Sequence, residues 1–297
     1  MQCRRTKRAP DLWESARLMN SFLHFRLYLL SGIIQALPQA GNAHRWAAAI
    51  NERICIMSNN NIDAMSPEIK SLCKAGGTAS FIFILYSLIT MIILSVFGGQ
   101  PNTAIESFTI LQTNRILGLL RMDLLTVIFM PLYFLIFLGI FLALNGKNSA
   151  WSIIALISVF VGVTLLLATP SVFSMMNLSD KYVMATTDTQ RSQLIAAGEA
   201  ILASDMWHGT GAIIGSFLIQ ISALIYSFIM LRGEVFNKFT AYVGIITHGL
   251  DFAHLIFLLV IPTIGIILMA IAGTLYLLWF PLIGIRLIQI GKVGSGK

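Results

Sequence analysis

Six apolar stretches, each long enough to cross a lipid bilayer, leave this chain few ways to fold. They cover residues 79–97, 124–144, 151–169, 210–231, 241–261 and 264–285, and each is 19 to 22 residues long. At about 1.5 Å of rise per helical residue such a stretch covers the roughly 30 Å of a hydrocarbon core. Backbone amides and carbonyls find no water there, so each stretch must satisfy them internally as a helix. The expected fold is an all-α polytopic integral membrane protein with six transmembrane helices and both ends on one side.

Composition agrees with that architecture. With 57% hydrophobic and 11% charged residues, the chain has more apolar surface than a single water-soluble core can hide. The net charge of +7 does not point to nucleic acid, because eight of the twenty lysines and arginines precede residue 57 and most others flank the apolar stretches. On one face of the expected bundle fall Lys70, Lys74, Lys147, Arg232, Lys238, Arg286, Lys292 and Lys297, against Glu68 and Glu234. On the other, Arg115, Arg121, Lys181 and Arg191 are outnumbered by Glu106, Asp123, Asp180, Asp188, Glu199 and Asp205. Excess Lys and Arg mark the cytoplasmic side, so both termini are expected inside the cell.

Residues 1–65 differ from the rest and read as a basic, poorly ordered cytoplasmic arm, carrying Arg4, Arg5, Lys7, Arg8, Arg17, Arg26, Arg45 and Arg53. Its longest apolar run, residues 27–37, is too short to span. A signal segment beginning near Met19 is a weaker reading, because it would place the following lysines outside. Translation starting at Met57, with residues 1–56 as an upstream extension, is a third. Cys3, Cys55 and Cys73 have neither a CxxC spacing nor metal-type clustering and read as reduced thiols. Residues 66–291 form the membrane domain and 292–297 a cytoplasmic tail.

The joints between spans carry further information. Residues 145–150 and 232–240 are short connections and Pro262–Thr263 is a bare turn, which forces antiparallel neighbours. Segments 98–123 and 170–209 are long, and each contains a capping-box sequence, Thr103-Ala-Ile-Glu106 and Thr187-Asp-Thr-Gln190. Two outer interfacial helices are expected, over 104–121 and 188–206. They pack on the bundle or offer a surface to a protein partner. Glu199 and Asp205 read as solvated acids, Arg121 with Asp123 and Trp279 with Arg286 as interfacial anchors, and Pro131 and Pro281 as kinks.

Short runs point to a family. Leu178-Ser-Asp-Lys-Tyr182, Ala196-Ala-Gly-Glu199, Ala241-Tyr-Val-Gly-Ile245 and the ending Trp279-Phe-Pro-Leu-Ile-Gly-Ile-Arg-Leu287 resemble the bacterial membrane family catalogued as domain of unknown function 4386. The resemblance covers about residues 66–291. It implies a six-helix protein of the inner (plasma) membrane and, since that family has no established activity, transfers no functional residue.

Chemistry has one conspicuous address. His248, Asp251 and His254 lie inside the fifth stretch, where a lone carboxylate costs a helix roughly 2.5 to 3.5 kcal/mol on insertion scales. At 100° per residue all three fall within one arc and can face the bundle interior, each histidine three residues from Asp251. Counting from the joint near Phe236 puts Gln220 at the depth of Asp251, and counting from the turn at Thr263 brings Thr274 or Tyr276 level with them. Ser216, Gln220, Ala223 and Ser227 form a small, polar stripe suited to helix contact, and Gly211 with Gly215 adds a close-approach motif.

Three readings compete for this cluster. A structural polar network that fixes helix packing is the simplest. A proton or substrate path, with Asp251 as carrier and the histidines as relay, is the main alternative. A zinc or iron site is opposed by the six-residue spacing of the histidines, about 9 Å of rise where metal helices use four residues. There is no phosphate loop and no Gly-x-Ser-x-Gly elbow. The sequence therefore points to a structural or binding membrane module with a buried polar network, not to an enzyme, and calls for no cofactor. A small proton-linked transporter or permease is the alternative.

Overall fold

The computed structural model describes residues 65–144, 149–169 and 171–293. Of the arm expected over residues 1–65 only Met65 is described, and it is buried in the bundle's core; the rest of the arm, the joint around Lys147 and the last four residues of the tail lie outside the described residues. Every element among the described residues is a helix, and six helical segments are long and apolar enough to cross a membrane.

The first, α1 (Pro67–Val96), starts earlier than its apolar stretch, because Ser66 caps the amide of Ile69 and Pro67 occupies the first turn. Its extra turns carry Lys70 and Lys74, which suit a polar boundary. The second span is split into α4 (Leu124–Phe129) and α5 (Leu132–Ala143) around Pro131, which has no amide to donate. The other four are α6 (Ser149–Leu167), α9 (Thr210–Arg232), α10 (Lys238–Val260) and α11 (Pro262–Lys292). Pro281 lies within α11 without ending it.

The spans pack in a continuous order, α6–α9–α10–α11–α1–α5, with α5 meeting α6 only sparsely. Small residues set the closest contacts. A Cβ on Gly162 of α6 would lie 2.6 Å from the carbonyl oxygen of Gly215 on α9, and one on Gly215 would lie 2.6 Å from that of Gly162. Any side chain at either position would push the two backbones apart. Between the spans lie the fully buried Ile136, Phe137, Tyr226, Trp279 and Phe280. Trp279 is 0% exposed, so it is a core residue and not the interfacial anchor its place near the end of the chain suggests. Large apolar side chains such as Ile92, Ile157 and Leu259 cover the outside of the bundle. That is a liability in water and the ordinary state in lipid.

A helical cap sits at one end. It holds four helices where the sequence suggests two: α2 (Ala104–Thr113), α3 (Arg115–Arg121), α7 (Val172–Met184) and α8 (Asp188–Leu202). The segment expected as one helix over 104–121 breaks at Asn114, whose extended backbone lets its side chain cap Leu117. The third span resumes as α7, which supplies Val172 and Met175 to a separate small core with Ala104, Phe108, Leu111 and Met122. Both capping boxes form. Thr103 and Thr187 accept from the amides of Glu106 and Gln190, whose side chains reach back one residue beyond the cap, to Asn102 and Thr186. The carboxylate of Glu199 also accepts from the amide of Ala104 at 2.7 Å, tying α8 to the start of α2.

Candidate functional site

Gln220 of α9, His248 and Asp251 of α10, and Tyr276 of α11 meet between three neighbouring spans. Gln220 Nε2 donates to Asp251 Oδ2 at 2.7 Å, and the Tyr276 hydroxyl donates to the same oxygen at 2.7 Å. Gln220 Oε1 lies 2.7 Å from His248 Nδ1 and 3.1 Å from the Tyr276 hydroxyl. The two bonds to Asp251 are short for neutral donors, as expected where the acceptor is a carboxylate.

Hydrogen-bond roles follow from this geometry. Because the amide nitrogen of Gln220 serves Asp251, its acceptor oxygen faces His248, and His248 must donate from Nδ1. That assigns the neutral ring its Nδ1–H tautomer and leaves Nε2 as a lone-pair acceptor. Nε2 is buried, as is the indole Nε1 of Trp279, and neither has a hydrogen-bond partner among the described residues. The two rings stand perpendicular with centroids 4.5 Å apart. Asp251 is half-buried, whereas His248 is fully buried.

The local sequence explains the meeting. Gly244, one turn before His248, lets Trp279 and Ser227 approach the α10 backbone, since a Cβ there would lie 2.5 Å from the indole nitrogen. Asp251 follows His248 by three residues, so both side chains leave one helical face.

Two predicted members lie elsewhere. The ring of His254 stands 3.1 Å from the carbonyl oxygen of Gly265, across the α10–α11 turn, and the Thr274 hydroxyl bonds the carbonyl of Ala270 on its own helix. Of the small, polar stripe on α9, Gln220, Ala223 and Ser227 are buried and Ser216 is half-buried.

No family model, curated protein or solved structure matches this chain.

A second polar cluster lies where the cap meets the bundle. Asp123 precedes α4 but makes no capping bond to it. The residue is 3% exposed, its carboxylate accepts from Gln100 Nε2 at 3.2 Å, and Ser171 and Trp207 lie near enough to favour its charged form. Burial first, and the neighbouring Asp205 carboxylate second, push the Asp123 carboxyl up to about 6. Asp205 is also buried, not the solvated acid its sequence context suggests. Its Oδ1 accepts from the amides of Trp207 and His208 at 2.8 and 3.1 Å and pairs with His208 Nδ1 at 2.9 Å. Arg121 donates twice to the carbonyl of Gly99 and reaches Glu106, so it braces the cap. The Asp123–Asp205 pairing could not be read in advance, because the two residues lie in different long joints with no shared helical rise.

Proposed function

We propose that this chain is a structural or binding module of a bacterial inner membrane, and that Gln220, His248, Asp251 and Tyr276 serve as the lock between α9, α10 and α11. The observation that carries this reading is that Gln220 engages Asp251 and His248 at once, both at 2.7 Å. One amide from α9 thus answers both polar residues of α10, while Tyr276 brings in α11. Hydrogen bonds between membrane helices contribute roughly 0.6 kcal/mol on average and up to about 1.7. Several such bonds on one cluster select a single helix arrangement without requiring chemistry.

The charge distribution supports cytoplasmic termini and a cap outside the cytoplasm. Cap residues Ile105, Ile116, Val183 and Met184 are exposed and apolar, which suits contact with lipid headgroups or a protein partner. The family resemblance of residues 66–291 fits the same proposal and adds no activity to it.

A proton-linked transporter is the second reading, favoured by the unpartnered His248 Nε2 at the end of a chain of hydrogen bonds from Asp251. Asp251→Asn in proteoliposomes separates the two. The lock reading expects unchanged proton flux with folding retained. Loss of flux in a folded variant would make the transporter the better account.

A further inference from the structure

Three separate connections of the cap come together at Asp123: Gln100 of the α1–α2 joint donates to it at 3.2 Å, and Ser171 at the start of α7 and Trp207 of the α8–α9 joint lie near enough to favour its charge. The carboxylate is left to them, because it makes no bond to the helix it precedes. The charged and titratable groups around it have other bonds. Asp205 holds its own turn and His208, whose side chain is 69% exposed. From α1, Tyr86 shares its hydroxyl with Thr126 at 2.8 Å, and Arg121 of α3 is taken up by Gly99 and Glu106. The strongest electrostatic influence on Asp123 is therefore a like charge.

We propose that Asp123 is an acid-sensitive clasp, whose protonation draws the helical cap more firmly onto the six-span bundle.

With the cap closed, the ionised carboxylate is both dehydrated and beside Asp205, and uptake of a proton relieves both penalties. Lifting the cap returns the carboxyl to water and towards its ordinary value of 3.8. A group raised in the closed state favours closure as pH falls through about 6, and the gain saturates below about 3.8. From about pH 7.5 to about pH 5 the closing equilibrium should strengthen about tenfold.

Amide hydrogen exchange of the full chain in lipid nanodiscs, corrected for the intrinsic pH dependence of exchange, measures this in α2 and α8. Wild-type protection should be about tenfold higher at the lower pH, and Asp123→Asn should be protected at both pH values. Equal wild-type protection at both, or an Asn variant that keeps the response, would overturn the proposal. Should Asp123→Asn not fold, Trp207 emission gives a second readout. A titration centred near pH 6 that survives His208→Gln and moves to lower pH in Asp205→Asn supports the clasp. One abolished by His208→Gln, or unmoved in Asp205→Asn, refutes it.

Discussion

Each of the two polar clusters is built on an aspartate, yet they hold different things together. Asp251 receives donors from side chains on two continuous spans, so its position follows from helical rise. Asp123 takes its donor from Gln100 and lies near Ser171 and Trp207, which belong to connections and a helix start. A carboxylate held by helix interiors fixes which helices are neighbours. One held by joints controls how tightly a peripheral layer sits, and that layer can open without unfolding the bundle.

The largest expected effect that tests this contrast is on the bundle side. Gln220→Leu takes one donor from Asp251, which keeps Tyr276, and leaves the buried Nδ1–H of His248 without the Gln220 oxygen, which should destabilise the folded bundle by about 2 to 3 kcal/mol. Equilibrium unfolding in mixed micelles would show it, and loss of cap protection should follow only as part of global unfolding. A smaller and local effect is expected on the other side. Gln100→Ala removes one donor to Asp123 and should lower amide protection in α2 and α8 by about 1 kcal/mol, with global stability nearly unchanged. If it instead shifted global unfolding as much as Gln220→Leu, the cap and bundle would be one cooperative unit.

The parts of the fold legible in the sequence are those in which distance along the chain becomes distance in space by a fixed rule. The spans obey it, which is why matching depths across the Phe236 joint and the Thr263 turn brings Gln220, Asp251 and Tyr276 to one level. The helical wheel is a weaker guide over several turns. His248 and His254 flank Asp251 symmetrically in sequence, but His254 lies close to the turn, where the Gly265 carbonyl is the nearer partner. Trp279 resembles a boundary tryptophan by position and is drawn inside by the space at Gly244. The cap follows no such rule. Asn114 ends one helix and starts another through a single side-chain bond, and α7 mixes apolar and polar residues directly after an apolar span. The bonds from Ala104 to Glu199 and from Gln112 to Ser179 depend on how two distant joints fold over each other.

The central claim is that Gln220 and Asp251 act together to hold α9 against α10. A double-mutant cycle on unfolding stability, using Gln220→Leu, Asp251→Leu and the double variant, tests it most directly. Coupling of about 1 to 2 kcal/mol, with the double variant less damaged than the sum of the singles, is the expected result. Additivity to within about 0.5 kcal/mol would contradict the claim, because the two residues would then be neighbours that contribute independently.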